Sequence, residues 1–293
     1  MGKRRKQDRA ASGGKREKIR DVFVPRPFAG LADEPDWVAL RELVPAATAP
    51  LILEAELAGK YADRTVTLAT VLPMAAPAVV RADGQVMIGL QRHAQSGDVS
   101  RDLAAALLAA LETEPGDTVP VPPLPGPGPR LQDVLADGAL TVQVHDSFAF
   151  WVEPETAANP AVQASLERAD ASIYPTTRMA AAPAAYWCRV GERAHVRWVL
   201  PGDEDRTLDT LARLSAAGDL PIGPQTRFAG MFRAHGLLVP VWDLPSGPEA
   251  AEWEQPLAEF AERLAAAASV TDPLDAAARR SRQGLLGRQL TLR

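Results

Sequence analysis

The triplet His145-Asp146-Ser147 contains the three side-chain types of a serine-hydrolase triad. In a triad the histidine must reach both partners. The apolar residues around the triplet predict a strand over residues 140–153, and successive side chains of a strand point to opposite faces. Asp146 then shares a face with Val144, while His145 and Ser147 share the other face. This geometry excludes a local triad and predicts that Asp146 is a buried carboxylate with a cationic partner. The alternative is a strand end or bulge that lets Asp146 reach water or a backbone amide.

Basic side chains recur at alternating positions of two predicted hairpins, over residues 186–200 and 228–242. If these strands join one sheet, its outer face carries guanidinium groups that suit carboxylates and phosphates. The same arginines are the candidate partners of Asp146. The alternative is a solvated face on which each arginine pairs with a neighbouring Asp or Glu. The members of this basic cluster, our candidate site for an anion or a partner, are Arg189, His195, Arg197, Arg227 and Arg233.

Other catalytic motifs are missing from the sequence. Neither G-x-G-x-x-G after a strand, nor G-x-x-x-x-G-K-[ST], nor G-x-S-x-G occurs. The four histidines are scattered singly, and Cys188 lies in a predicted strand, which is typical of a buried structural thiol. We therefore predict no catalytic residue, no metal and no cofactor, and the sequence favours a non-catalytic protein over an enzyme.

The net charge of −5 is unevenly distributed along the chain. Residues 1–20 contain nine Lys and Arg against two acidic residues, residues 272–293 are also basic, and the part between them is acidic. Such a basic tail lacks the apolar residues that would repay its ordering, so we predict that it is disordered. It either binds nucleic acid without sequence preference, or remains solvated or lies on the acidic body. The residues of the tail expected to contact nucleic acid are Lys3, Arg4, Arg5, Lys6, Lys15, Arg16 and Lys18.

A proline-rich segment, VPVPPLPGPGP, divides the chain near its middle. It favours polyproline II and a semi-rigid spacer, with an aromatic-groove ligand as the alternative. The predicted organisation is a basic tail at 1–20, an N-terminal α+β domain at 21–117, a linker at 118–129, a C-terminal α+β domain at 130–271 and a basic C-terminal helix at 272–293.

Hydrophobic periodicity and turn signals predict an α+β fold. Three antiparallel hairpins are each followed by a helix that can cover their apolar face, which gives two sheets with helices on one side of each. The recurring distance from hairpin to helix suggests an internal duplication, with chance similarity in an Ala-rich chain as the alternative. The predicted helices are 34–44, 98–113, 131–136, 160–172, 204–217 and 249–268. The predicted strands and hairpins are 51–58, 65–72, 79–90, 140–153, 186–200 and 228–242.

Length and composition fit a folded protein of about two domains, with 293 residues of which 46% are hydrophobic and 24% charged. A single cysteine excludes an intramolecular disulfide. The first twenty residues lack the apolar core of a signal peptide, and no apolar run approaches the roughly 18 residues that span a bilayer. These features predict a cytoplasmic protein without a membrane span.

Four segments resemble an actinobacterial family known only as a domain of unknown function: residues 35–51, 144–151, 226–245 and 288–293. The resemblance runs from about Val24 to the last residue. It implies an uncharacterised cytoplasmic protein and transfers no catalytic residue. Many relatives carry an N-terminal zinc motif of the SEC-C type, and some are named preprotein-translocase-like because of it. Residues 1–20 contain neither Cys nor His, so this zinc motif is absent here.

Three classes of function remain open. The first is a non-catalytic binding or adaptor protein that engages a protein partner, with the basic tail for an anionic surface. The second is a nucleic-acid- or ribosome-associated protein that uses its two basic ends. The third is a hydrolase or transferase whose site is assembled from separated residues.

Overall fold

The computed structural model describes residues 19–290. Its α-helices are α1 Glu34–Glu42, α2 Ala55–Lys60, α3 Val99–Leu111, α4 Leu131–Val134, α5 Pro160–Asp170, α6 Glu204–Ala217, α7 Glu254–Ala268 and α8 Ala276–Leu286. Its strands are β1 Ala47–Leu51, β2 Thr65–Val71, β3 Ala78–Val80, β4 Gln85–Gln91, β5 Gln143–Val144, β6 Thr176–Arg178, β7 Ala185–Val190, β8 Arg193–Trp198, β9 Arg227–Ala234 and β10 Leu237–Leu244. Short 3-10 helices cover Pro73–Ala75, Ala149–Trp151 and Ala250–Trp253.

The strands form two five-stranded sheets, in the orders β3-β4-β2-β1-β5 and β6-β7-β8-β10-β9. In the first sheet β2 and β4 are parallel neighbours, because β3, which lies between them in the sequence, forms the sheet edge and is antiparallel to β4. All pairs of the second sheet are antiparallel. The α+β class, the two sheets and the three hairpins are thus confirmed. The internal duplication and the division at residues 118–129 stay predictions.

Helix starts follow the local sequence signals closely. The Asn159 side chain accepts a hydrogen bond from the backbone N–H of Ala161, with Pro160 at the first helical position of α5. Asp98 and Asp203 cap α3 and α6 in the same way. These helices are confirmed to within a few residues because a cap needs only neighbouring residues.

Two predicted strands are wrong. Residues 51–58 do not continue a strand, because the Glu54 carboxylate accepts hydrogen bonds from the N–H groups of Glu56 and Leu57 and starts helix α2. Of residues 140–153, only Gln143–Val144 pairs with β1. Beyond it the chain turns away so that its aromatic side chains stack on each other over the outer face of the first sheet.

Helix α1 lies between the two sheets, and residues 36–40 are all buried. Its Leu40 carbonyl accepts a hydrogen bond from Gln91 of β4. The carbonyl of its C-cap residue, Leu43, accepts a hydrogen bond from the hydroxyl of Tyr174, which lies just before β6. One apolar cluster accordingly joins residues of α1, α3, the first sheet and one face of the second sheet. The other face of the second sheet packs against α6 and α7.

The outer edge of β9 is covered by the C-terminal segment. The N–H of Met231 donates to the carbonyl of Arg288, and the N–H of Leu290 donates to the carbonyl of Met231. Gly230 permits this close approach, since a Cβ there would lie 2.4 Å from the Arg288 carbonyl oxygen. Within residues 19–290, none of the helices combines the length and apolarity needed to cross a membrane.

Replacing Trp37 or Trp253 by Ala should destabilise the protein by about 3–5 kcal/mol, because each side chain is buried in the core. Their exposed fractions are 2% and 5%. The measurement is the denaturant midpoint at constant m-value. As a control, Phe23→Ala removes an aromatic side chain that is 76% exposed, and it should change stability by no more than about 0.5 kcal/mol. A tryptophan variant that matches this control would contradict the packing described above.

Candidate functional site

The basic cluster predicted from the sequence does not lie on one face of the second sheet. Strand register pairs His195 with Cys188 and with Asp243, on the face that packs toward α1. Arg197 shares that face by alternation, and so does Arg227, which also pairs with Asp243. Arg189 and Arg233 instead pair with Ala194 and Leu238, which lie on the face toward α6 and α7. The expectation of a single outer face is therefore wrong.

On the face toward α1, one carboxylate holds two members of the cluster. Asp243 accepts from Nδ1 of His195 at 3.1 Å and from Nη2 of Arg227 at 2.5 Å. Arg197 donates to the Tyr174 hydroxyl at 3.3 Å and lies over its ring. Burial lowers the pKa of His195, although the charge of Asp243 opposes this.

On the opposite face, Arg189 Nη1 lies 2.8 Å from a carboxylate oxygen of Glu249 and its guanidinium stacks over the Trp187 ring. Arg233 Nε lies 2.6 Å from a carboxylate oxygen of Glu204. This is the arrangement of the alternative hypothesis, in which each arginine meets an acidic neighbour of its own chain. A role of the cluster in anion binding stays a prediction.

Asp146 is exposed, so its prediction as a buried carboxylate is wrong. The strand ends at Val144, and the following turn is held by Asp170 at the end of α5. That carboxylate accepts hydrogen bonds from the Ser147 hydroxyl and from the N–H of Phe148, both at 2.7 Å. No ion pair of Asp146 is found within residues 19–290. The tail residues Lys3, Arg4, Arg5, Lys6, Lys15, Arg16 and Lys18 lie outside the described residues.

A buried carboxylate that joins α1 to the second sheet is Asp36, which the sequence analysis did not single out. Its oxygens accept from the Tyr186 hydroxyl at 2.8 Å and from Nη2 of Arg178 at 2.9 Å. Asp36 is 2% exposed. A first-turn acid on a short helix looks like an ordinary helix-start signal, so only the contact between α1 and the second sheet reveals its role.

Burial is the main cause of three raised pKa values in this region. It raises the pKa of Tyr186 far above the usual range, and the negative charge of Asp36 adds to the effect. Burial also raises the pKa values of Tyr174 and of the Cys188 thiol. Cys188 consequently stays a thiol at neutral pH, as a structural cysteine does. The sequence-based interpretation of Cys188 as buried is confirmed.

The histidines remain separate from one another. His145 bonds to Thr48 at 2.8 Å and His235 bonds to Glu42 at 2.8 Å, whereas His93 is exposed. Over the described part of the chain, no three His, Cys, Asp or Glu residues are grouped so that they could hold a metal ion.

A groove runs between α6 and α7 on the helical side of the second sheet. We call it the α6–α7 groove; it encloses about 250 Å³ and is lined mainly by Trp198, Leu200, Thr207, Ala261, Leu264 and Ala265. Four of its lining residues, Pro201, Thr207, Thr210 and Ala268, also line a polar cleft of about 640 Å³ beside it. The charged side chains of this cleft are Asp203, Arg206, Asp209, Arg213 and Asp272. The groove escaped the sequence analysis because its walls are helix faces that look like ordinary core stripes.

Comparisons with known proteins give one match. The model of a family described as a family of unknown function (DUF5926) matches residues 27–293. Neither the curated proteins nor the solved structures contain a match to this chain. The match agrees with the resemblance seen in the sequence to a domain of unknown function.

Because Tyr186 ionises with far more difficulty in the folded protein, stability should be lost as pH rises above the unfolded tyrosine pKa of about 10. The contribution of Tyr186 to the free energy of unfolding is fully present below that pH and falls by about 1.4 kcal/mol per pH unit above it. Tyr186→Phe should remove this part of the decline. The measurement is the free energy of unfolding of both proteins from pH 8 to 11.

At pH 7 the same Tyr186→Phe variant should lose about 1.5–3 kcal/mol, the value of a hydrogen bond to a charged group, because the buried Asp36 carboxylate loses one of its donors. If wild type and variant decline equally at alkaline pH, Tyr186 is not held against Asp36 as described.

Proposed function

Since this chain belongs to the family of unknown function DUF5926, which prescribes no activity, we propose from its geometry that it is a non-catalytic binding protein. It engages a protein partner at the α6–α7 groove. The observation that carries this proposal is an accessible apolar groove with Trp198 and Leu264 in its wall, next to a charged cleft.

The size of the groove favours a protein segment over a metabolite. Pockets for drug-sized ligands enclose roughly 300–1,000 Å³ and bury most of the ligand. The α6–α7 groove, at about 250 Å³, is smaller and open along one side. Grooves between helices typically receive the apolar side chains of a partner segment. We therefore assign the occupant as a short protein segment that inserts apolar side chains.

The charges of the neighbouring cleft indicate which residue type should lie beside the apolar part of the partner segment. Asp203, Asp209 and Asp272 outnumber Arg206 and Arg213, and Arg213 already donates to the backbone carbonyl of Asp272. Opposite charge across an interface steers association and fixes register. Because Asp209 is already paired with Arg282, the carboxylates of Asp203 and Asp272 are the ones that should bind a basic residue beside the apolar anchors of the partner segment.

The chemistry of the reactive side chains supports binding rather than catalysis. The Cys188 thiol is buried and its pKa is raised, which makes it a poor nucleophile. His195 and His235 are held by the carboxylates of Asp243 and Glu42. Each is thus used in joining elements of the fold. The proposal places the protein in the cytoplasm, where a lone reduced cysteine is usual.

Ala265→Arg tests the groove. Ala265 is an exposed helical residue in the groove wall, so the bulkier side chain should block the groove while arginine maintains the helix. The matched control is Ala164→Arg, at an exposed position of α5 outside the groove. Both variants and wild type are used for affinity capture from native cells with mass spectrometry. We expect a partner that wild type and Ala164→Arg retain and that Ala265→Arg loses at least tenfold.

A photo-reactive amino acid at position 265, compared with one at position 164, then identifies the partner segment. Cross-links from position 265 alone, to a segment with apolar and basic residues, support the proposal. Equal retention by all three proteins, with wild-type melting temperatures, contradicts it.

Nucleic-acid association is a second candidate, favoured by the C-terminal basic helix. In α8, Arg280 is exposed, whereas Arg282 is bound by the carboxylates of Asp205 and Asp209 and Arg279 donates to the Leu274 carbonyl. The charge of α8 is thus partly neutralised, and the basic tail at 1–20 would supply most phosphate contacts.

Deleting residues 1–20 should flatten the salt dependence of any RNA binding, because fewer counterions are released. The measurement is the slope of log affinity against log salt concentration for wild type and deletion. An unchanged slope would locate the binding in the acidic body and contradict the role of the tail. The same deletion should leave partner capture through the α6–α7 groove intact.

A further inference from the structure

The proline-rich part of the chain lies at the surface between α3 and α4. Both helices belong to one apolar cluster, to which α3 contributes Leu107 and α4 contributes Leu131. The hydroxyl of Ser100 in α3 accepts a hydrogen bond from the N–H of Leu131 at 3.0 Å. The chain therefore leaves the body at α3 and returns to it at the adjoining α4, and the prolines are displayed on the connection between these two helices.

The backbone of residues 119–124, which we call the PxxP segment, is extended for a local reason. Every residue of this segment is a proline or precedes one. The proline ring fixes φ at about −65°, and its Cδ keeps the preceding residue out of the helical region. None of the backbone groups of the segment forms a hydrogen bond to another backbone group of the described chain. Both features indicate polyproline II, which has no internal hydrogen bonds.

The exposure of the side chains in the PxxP segment differs from face to face. Polyproline II has three residues per turn, so residues three positions apart share a face. Val119 is 6% exposed and belongs to the apolar cluster that includes α3, and Pro122 on the same face is partly buried. Pro120 and Pro123 are both exposed, and Val121 is 73% exposed. One face thus anchors the segment on the body, while two exposed prolines and an exposed valine are left to the solvent.

The two exposed prolines have the spacing that polyproline-binding domains recognise. Pro120 and Pro123 lie one turn apart, which corresponds to about 9 Å along the axis of polyproline II. Domains that bind P-x-x-P segments receive them in an aromatic-lined groove and exploit the fact that the ligand is ordered before it binds. The burial of Val119 holds the segment against the body, which lowers the entropic cost of association further. Since α3 and α4 already adjoin each other, the stiffness of the segment is not needed to separate them.

The charges on either side of the segment indicate the charge of the partner. Glu114 and Asp117, which precede the segment, are exposed. Arg130, which follows it, lies 3.1 Å from a carboxylate oxygen of Asp98 and donates to the Pro27 carbonyl at 2.8 Å. This guanidinium is therefore occupied, and the carboxylates before the segment carry the available charge. A partner should place basic side chains beside its groove to meet them.

We propose that the PxxP segment is a docking motif for a folded protein domain that has an aromatic-lined groove with basic residues beside it. The rings of Pro120 and Pro123 enter this groove, and Val121 lies between them. The motif adjoins α3 and α4, whereas the α6–α7 groove lies on the helical side of the second sheet. The docking motif therefore does not rest on the function proposed above.

The test places a photo-reactive amino acid at position 121 of the full chain in native cells. Position 127 is the reference, because Pro127 is exposed and lies outside the P-x-x-P pair. We expect position 121 alone to cross-link to a folded domain, at a peptide that contains Trp, Tyr or Phe. Replacing both Pro120 and Pro123 by Ala should reduce this product at least tenfold. Pro127→Ala and Ala265→Arg should leave it unchanged, so the result is independent of the α6–α7 groove.

The cross-linked domain is then purified and titrated with the full chain by calorimetry. The double alanine variant should keep the wild-type melting temperature, because both prolines are exposed, and its Kd should rise at least tenfold. Val121→Asp keeps every proline and places a charge in the apolar groove, so its Kd should rise at least fivefold. This second variant keeps the test decisive if the double variant fails to fold.

Three results would overturn the docking motif. The first is that position 121 cross-links to no other protein, or to RNA or lipid instead of a protein. The second is that the cross-linked peptide of the partner contains no aromatic residue. The third is that the double alanine variant, or Val121→Asp, binds the purified domain with wild-type affinity while it is folded.

Discussion

Helix α1 is buried between the two sheets, and the rest of the structure depends on that placement. The first sheet contacts it through Gln91 and the second through the Tyr186 hydroxyl, while Tyr174, just before β6, donates to the carbonyl of its C-cap residue Leu43. Because the helix is surrounded by protein, its Asp36 carboxylate must find partners there, and Tyr186 and Arg178 supply them. Apolar burial drives the association of the two sheets, while this polar contact fixes how the second sheet sits against the helix.

That arrangement covers both faces of the second sheet. One face packs toward α1 and the first sheet, and the other packs on α6 and α7. Its β9 edge is paired with the C-terminal segment. An open sheet face or a long free edge would be the simplest docking surface. Neither is present at the two faces or at the β9 edge of the second sheet. An accessible concave surface lies between helices α6 and α7 instead. For this reason we base the proposed binding function on the α6–α7 groove.

The acidic body uses much of its charge internally. Asp243, Glu249, Glu204, Asp205 and Asp209 each hold an arginine of the same chain. Exposed pairs of this kind contribute little to stability, but they remove guanidinium groups from the set available to ligands. Arg41 and Arg92 lie 3.5 and 3.6 Å from the carboxylates of Glu42 and Asp102, which also accept hydrogen bonds from His235 and Ser96.

The amino-acid sequence by itself determined the elements that depend on neighbouring residues. Hydrophobic periodicity and turn signals predicted the three hairpins correctly, as well as helices such as α5 with its Asn159 cap, because their energetics act within a few positions. Only the tertiary structure decided which face each arginine occupies and which carboxylate it meets. Arg189 and Arg197 belong to one predicted hairpin yet lie on opposite faces of the sheet. Asp146 is exposed because Asp170, 24 positions along the chain, holds the turn that follows it. Contacts between residues so far apart follow from the packing of whole elements, which no local pattern encodes.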